Sequence, residues 1–252
     1  MKNQINKILF SLLIIFSCIA CSNSSKKQGA VIFSFDDQLV ESWINAQPLF
    51  DKYDIKATFF VCRPHLLDSM QISWLKQLSS YGHEIDCHGM NHINVETYLD
   101  SFDIYVEKEI LPAIDLLKGM GFAVNSFAYP FGASTNMTDS ILSKHFSYLR
   151  KATWNMNDTT INQYNEIFIN KDHRNITNAM GIDNNYNISL ESIETGIVRA
   201  KENNEIIVLY AHRIADMDTD YSVKPSYLEE VFKLCKKHNV KTITFDEIET
   251  FF

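Results

Sequence analysis

From residue 30 onward, short apolar runs alternate with amphipathic stretches along nearly the whole chain, and this alternation restricts the fold more than any other feature. Val31-Ile32-Phe33-Ser34-Phe35 reads as a strand, 39–53 as a helix, Ala57–Val61 as a strand and 73–81 as a helix. The pattern continues with a strand at 84–88, a long helix at 98–118 and a short strand at 126–129. Further on, 148–152 reads as extended, Leu190–Asn203 as helix, 206–210 as strand, 226–238 as helix and 241–245 as a last strand. Nothing repeats at a fixed period, which disfavours solenoids and propellers.

Near-continuous apolar strands separated by helices suit a parallel sheet covered on both faces. The chain is therefore expected to be α/β, and about seven parallel strands favour a closed or nearly closed (β/α) barrel over an open sheet. With 46% hydrophobic and 21% charged residues, 252 residues can bury a substantial core. Only 8 glycines and 5 prolines exclude collagen-like and linker-dominated chains. The net charge of -8 excludes nucleic acid as the main partner, because a phosphate backbone requires a basic face.

In a parallel barrel, chemistry belongs at the C-terminal ends of the strands. The first strand ends in Asp36-Asp37. Adjacent residues on extended backbone point in different directions, so one carboxylate can hold a metal while the other takes a proton, although aspartate also caps turns for its own hydrogen bonds. The third strand runs into His88-Gly89-Met90-Asn91-His92, with two imidazoles four residues apart. Together with one carboxylate they make a His2Asp set that leaves a position open for water, as in catalytic zinc sites. Ile206-Ile207-Val208-Leu209-Tyr210-Ala211 ends at His212, and Phe127-Ala128-Tyr129-Pro130-Phe131-Gly132 ends a strand in a turn able to aim a backbone N–H at a reacting oxygen.

In this order, Phe35-Asp36-Asp37, the His88 to His92 motif, Tyr129-Pro130-Phe131-Gly132, the run ending at His212 and the closing Thr244-Phe245-Asp246-Glu247 resemble the motifs of polysaccharide deacetylases, the NodB-homology enzymes of carbohydrate esterase family 4. The likeness spans roughly residues 30–252, which would form the catalytic domain. It implies a distorted (β/α) barrel and a metal-dependent hydrolase that removes acetyl groups from N-acetylated sugars of a polysaccharide or oligosaccharide. By position, Asp37, His88 and His92 would bind a divalent metal, zinc ahead of cobalt, nickel or manganese. Asp36 would be the general base, His212 the general acid, and the Phe131 N–H the oxyanion donor. Tyr129, Trp154 and Tyr210 are the aromatic candidates for substrate contact, with a core role the alternative for Trp154 and Tyr210.

The chain also departs from the family pattern. Ala128 stands where many members have an arginine paired with the base, leaving Arg150, Lys151 or Arg213 as candidate partners for Asp36. The fourth motif is only echoed near Trp154, and no residue can be assigned to orient His212. His83 is expected to support structure, and His65, His145, His173 and His238 to lie outside the site. The asparagine-rich stretch 175–187 is expected to shape a substrate groove as a loop. Two other readings keep the same residues: an O-acetyl ester or non-sugar amide as the scissile group, and a catalytically silent glycan-binding protein.

At the N-terminus, Lys2 and Lys7 precede an apolar run at 8–20 that is too short to span a bilayer and reads as an export signal. The following Cys21 and polar 22–27 resemble a bacterial lipoprotein signal, with 1–20 removed, Cys21 acylated and 21–29 a polar linker. The chain is then expected to be exported and lipid-anchored in the cell envelope, periplasmic or surface-facing. Cys62, Cys87 and Cys235 show no CxxC spacing and read mostly as buried small hydrophobes, with one disulfide left open.

Overall fold

The computed structural model describes residues 28–154 and 160–252. The proposed signal at 1–20, Cys21 and the linker up to residue 27 lie outside the described residues. Seven strands form the centre: β1 (Ala30–Asp37), β2 (Ala57–Val61), β3 (Glu84–Cys87), β4 (Ser126–Ala128), β5 (Tyr148–Thr153), β6 (Ile176–Gly181) and β7 (Ile206–Ala211). Each pairs in parallel with the next, and β7 returns to β1 in a register running from Ala30 opposite Ile206 to Phe35 opposite Ala211. The sheet is thus a closed barrel of seven parallel strands, as the alternation predicts.

Both faces of β1, β2 and β7 are buried, which is why these three read as apolar runs rather than as alternation, whereas β3, β5 and β6 carry polar residues. Along β1, Val31, Phe33 and Phe35 pack outward with Trp43, Phe50 and Phe232 of the helical layer, whereas Ala30 and Ile32 join Phe60, Val208 and Tyr210 inside the barrel. The period of two then carries Asp36 inward at the end of β1. On β3 the same period places Glu84, Asp86 and, one step beyond the strand, His88 on the interior side.

Several elements differ in extent from the expectation. Residues 39–53 form two helices, α1 (Val40–Asn45) and α2 (Gln47–Tyr53), because Pro48 lies in the first turn of α2 and cannot donate back into α1. Helix α3 (Ser69–Ser80) starts before residue 73, where Asp68 and Gln71 form a reciprocal capping box. The stretch 98–118 is no single α-helix: a 3-10 segment (Val95–Ser101), one α turn (Phe102–Tyr105), a π turn (Val106–Ile110) and α4 (Leu111–Gly119) follow one another. The last strand is confined to Lys241–Thr242, which extends the sheet on β1 below β2, and a 3-10 turn begins at Phe245. Helices Leu190–Asn203 and Pro225–His238 lie where periodicity places them.

The largest correction concerns 175–187, whose first half is not a groove loop but the barrel strand β6. Cys62, Cys87 and Cys235 are buried free thiols, so the disulfide left open does not form among them. Among the described residues no helix is long and apolar enough to cross a membrane.

Candidate active site

The C-terminal ends of the strands surround a cavity of about 410 Å3 lined by Asp36, Asp37, His88, His92, Arg150 and His212, together with aromatic side chains. That volume falls within the range of small-ligand sites. A larger hollow of about 620 Å3 opens at the opposite end of the barrel between Tyr53, Lys236 and Phe251, and holds none of the predicted site residues.

Three of the residues that sequence reading singles out converge. Asp37 Oδ1 lies 3.8 Å from His88 Nε2 and 3.3 Å from His92 Nε2, and the three donor atoms all fall within 4.8 Å of one another. A tetrahedral zinc with bonds of about 2.0–2.1 Å sets its ligands roughly 3.3 Å apart, so modest side-chain closure would bring this set onto one ion. Its chemistry suits a divalent cation. His88 Nδ1 is 2.7 Å from the Ala128 carbonyl oxygen, which can only accept, so Nδ1 carries the proton and the Nε2 lone pair faces Asp37. Burial and then the neighbouring His92 hold the His88 pKa well below the ordinary imidazole value, and burial also lowers that of His92. Neutral imidazole is the metal-binding form.

Backbone strain gathers at the same rim. Asp37, His92 and Phe131 are non-glycine residues with φ of +88°, +61° and +60°. Such conformations persist only where the surroundings hold them and cluster at functional sites. Phe131 is 63% exposed, and its ring lies 4.8 Å from that of His92. The next residue, Gly132, is required by a close approach: a Cβ there would come within 2.5 Å of Ala152 Cβ.

Asp36, 3% exposed, lies beside the cluster and forms an ion pair through both carboxylate oxygens with Nη2 of Arg150 on β5. Arg150, not Lys151 or Arg213, therefore partners Asp36. Its guanidinium lies 5.2 Å and 5.0 Å from the ring centres of Phe60 and Tyr210. Lys151 points the other way, to Asp139 at 3.4 Å.

Sequence reading misses the residue that orients His212. Asp183, two residues past β6, accepts from the His212 backbone N–H at 3.1 Å and from Nδ1–H at 2.7 Å. The indole N–H of Trp43 donates to the His212 carbonyl at 2.9 Å, so backbone and ring are both fixed. Burial alone lowers the His212 pKa, but the Asp183 hydrogen bond and the nearby charges of Asp36, Asp183 and Asp37 outweigh it and hold the pKa above the ordinary value. A short strand followed by an acid is the available signal, obscured because β6 is half polar and shows no regular alternation.

Of the aromatic candidates, Trp154 is 43% exposed at the rim and stacks on Tyr186 at 6.4 Å. Tyr210 is buried, with its hydroxyl 2.9 Å from that of Tyr186. Tyr129 reaches the cavity wall, but its hydroxyl donates to Asp139 at 2.8 Å. Tyr186 and Tyr221, not predicted, complete the wall, with Tyr221 edge-on to His212 at 5.2 Å. His83 has the supporting role expected of it: Nδ1 accepts from the Ala57 N–H at 3.1 Å and Nε2 meets Gln47 at 3.0 Å. His238 pairs with Glu194, away from the site.

A closed parallel barrel with two histidines and a carboxylate gathered at its C-terminal rim defines a barrel protein with a candidate catalytic metal centre. The family model described as polysaccharide deacetylase matches residues 23–149, and the chain belongs to that family. No curated protein matches it. Among solved structures, the Xyl-CE4 domain of a multidomain xylanase from the hindgut metagenome of Trinervitermes trinervoides is similar at 15% identity and TM-score 0.53, covering 89% of this chain and 90% of that one. A family 4 acetyl xylan esterase from Clostridium thermocellum in complex with a cobalt ion matches at 15% identity and TM-score 0.55, over 88% of this chain and 90% of that one. Peptidoglycan deacetylase PdaC from Bacillus subtilis matches at 14% identity and TM-score 0.55, over 90% and 92%. At these identities the likeness establishes the shared fold.

Proposed function

We propose that this protein is a metal-dependent deacetylase that removes N-acetyl groups from an envelope or extracellular polysaccharide of the peptidoglycan, chitin-like or poly-N-acetylglucosamine type, within a catalytic domain spanning residues 30–252. The observation that carries the reading is the convergence of Asp37, His88 and His92 in one cavity with Asp36 and His212. Asp37, His88 and His92 would hold the cation, with zinc the first choice given two imidazoles and a carboxylate. When bound there, a divalent cation supplies Lewis acidity toward water and toward the acyl carbonyl. Asp36, fixed by Arg150, accepts the proton of the attacking water. The Phe131 N–H donates to the oxygen that gains negative charge. His212 then protonates the departing amine.

The Asp183–His212 pair favours an amide over an ester. An amine leaves only after it is protonated, and Asp183 holds His212 in its protonated form to a higher pH than a free imidazole. An O-acetyl ester, whose alkoxide leaves more readily, has less need of such an acid. A silent glycan-binding protein has no use for the acid–base pair at all. The aromatic rim of Trp154, with Tyr210 and Tyr129 deeper in the wall, would contact sugar and acyl group.

The test is acetate release by the chain loaded with zinc or cobalt(II) from N-acetylated chitooligosaccharides and from peptidoglycan, beside an O-acetylated xylan. Release from the N-acetylated substrates supports the reading; release from xylan alone transfers it to esters. No release from any substrate with any divalent cation overturns it. Export and anchoring through an acylated Cys21 belong to the same proposal, supported by Lys2, Lys7 and the apolar run before Cys21. Metabolic labelling with a fatty acid, lost in Cys21→Ser, tests that part.

A further inference from the structure

Glu109 takes no part in the cavity wall, yet it is fully buried beneath the loop that carries both histidines of the cluster. The loop needs a support. Gly89 has φ +86° and His92 φ +61°, so the backbone between His88 and His92 is held in a shape that most side chains resist. Glu109 binds both residues at its centre. The Met90 N–H donates to the Glu109 carbonyl at 2.9 Å, the Asn91 N–H donates to Oε2 at 2.8 Å, and the Asn91 side-chain amide donates to Oε1. A Cβ on Gly89 would lie 3.4 Å from Oε2, so the carboxylate also fills the space under the turn.

The backbone around Glu109 is specialised too. It lies in the π turn Val106–Ile110, which sets Glu109 and Ile110 side by side on the buried face and leaves Leu111 41% exposed. Single π turns are rare and occur often at functional sites. A buried carboxylate is costly unless its oxygens are hydrogen-bonded, and here two donors of one residue, Asn91, meet its two oxygens. The contact therefore fixes Asn91 as firmly as it satisfies Glu109.

We propose that Glu109 is a positioning residue for the cation site: through Asn91 it holds His92 at the separation from His88 that one divalent ion requires. The inference rests on the metal-site reading above and extends it to a residue that would touch neither ion nor substrate. Outer partners that orient metal ligands typically contribute about 10–100-fold to metal affinity.

Cobalt(II) is the probe, with its dissociation constant measured by chelator competition and its coordination by the visible d–d spectrum, both without substrate. Glu109→Leu removes both acceptors and is expected to weaken cobalt binding about 10–100-fold and to change the spectrum. Glu109→Gln keeps both contacts once the Asn91 amide turns over, since Gln Oε1 accepts the backbone N–H and its amide donates to Asn91. Its affinity should stay within about threefold of the parent. Asn91→Asp opposes two carboxylates and weakens binding, and adding Glu109→Gln restores it, which keeps the test decisive if Glu109→Leu does not fold. Folded Glu109→Leu with parental affinity and spectrum, or failure of the double variant to recover from Asn91→Asp, overturns the inference. If the parent chain itself binds no cobalt, the metal-site reading falls and not this one alone.

Discussion

Arg150 crosses the barrel interior from β5 to bind both carboxylate oxygens of Asp36 on β1. Its register partner on β4 is Ala128, the place where the family resemblance leads one to expect an arginine. The positive charge directed at Asp36 thus comes from the strand next to the expected position. Removing one member of a buried pair leaves the other uncompensated, at about 3–5 kcal/mol, so Arg150→Ala should lower both thermal stability and kcat/KM. Because the two positions are adjacent on the interior face, adding Ala128→Arg to Arg150→Ala should restore at least about tenfold in kcat/KM, or roughly 1.4 kcal/mol. Activity and melting temperature of the single and double variants decide it. A double variant no better than Arg150→Ala would mean that the strand of origin matters and the charge alone does not.

Asp183 should set the alkaline limb of the pH profile. Its hydrogen bond and charge help to raise the His212 pKa, so the acid keeps its proton to a higher pH than an ordinary imidazole. In Asp183→Asn the charge is lost and any remaining hydrogen bond is to a neutral amide, while the burial that lowers the pKa stays, so the limb should move to lower pH. At pH 8 the rate should fall about 10²-fold, in the range typical of a displaced general acid. An unmoved limb in kcat/KM against pH would show that a group other than His212 donates the proton.

The residues read most clearly from sequence are those at the ends of strands buried on both faces. Val31 to Phe35, interrupted only by Ser34, and Ile206 to Ala211 are apolar runs, so the acids and the histidine that follow them stand out. Strand β6 is harder to read because Ile176-Thr177-Asn178-Ala179-Met180-Gly181 is half polar, and its place comes from ladder bonds to β5 and β7 that no local pattern announces. Asp183 is lost along with it. Arg150 could be narrowed only to one of three cations, although the period of two along β5 separates inward Arg150 from outward Lys151. Glu109 is hidden for another reason: the π turn breaks the 3.6-residue period by which a buried helical position is recognised.

Trp154 should act on binding more than on chemistry. It is 43% exposed at the rim of the cavity and stacked on Tyr186. Truncation to alanine removes a sugar-stacking face worth about 0.5–1.5 kcal/mol, so KM should rise roughly 2–12-fold with kcat nearly unchanged. Steady-state kinetics on a chitooligosaccharide series measures this. A fall in kcat at constant KM would place the ring at the reacting centre instead.

At the opposite, N-terminal end of the strands, the buried Glu84 that opens β3 should make stability depend on pH. Its carboxylate accepts from the Thr58 hydroxyl at 2.6 Å and from the Phe245 N–H at 2.8 Å. Burial, then the charge of Asp246, pushes its pKa from 4.5 up to about 7, and burial and Glu84 together push that of Asp86 upward as well. The folded protein therefore keeps protons that the unfolded chain has already released. The stabilisation from Glu84 is complete below about 4.5 and is lost as the pH rises through about 7. One such proton gives a slope of up to about 1.4 kcal/mol per pH unit. Glu84→Gln keeps the neutral shape, with an oxygen for the Phe245 N–H and an amide able to donate to Asp86, so the fall in urea-unfolding free energy across this window should flatten. An unchanged slope would mean that the proton resides on Asp86 alone, and Asp86→Asn should then remove the slope that Glu84→Gln leaves.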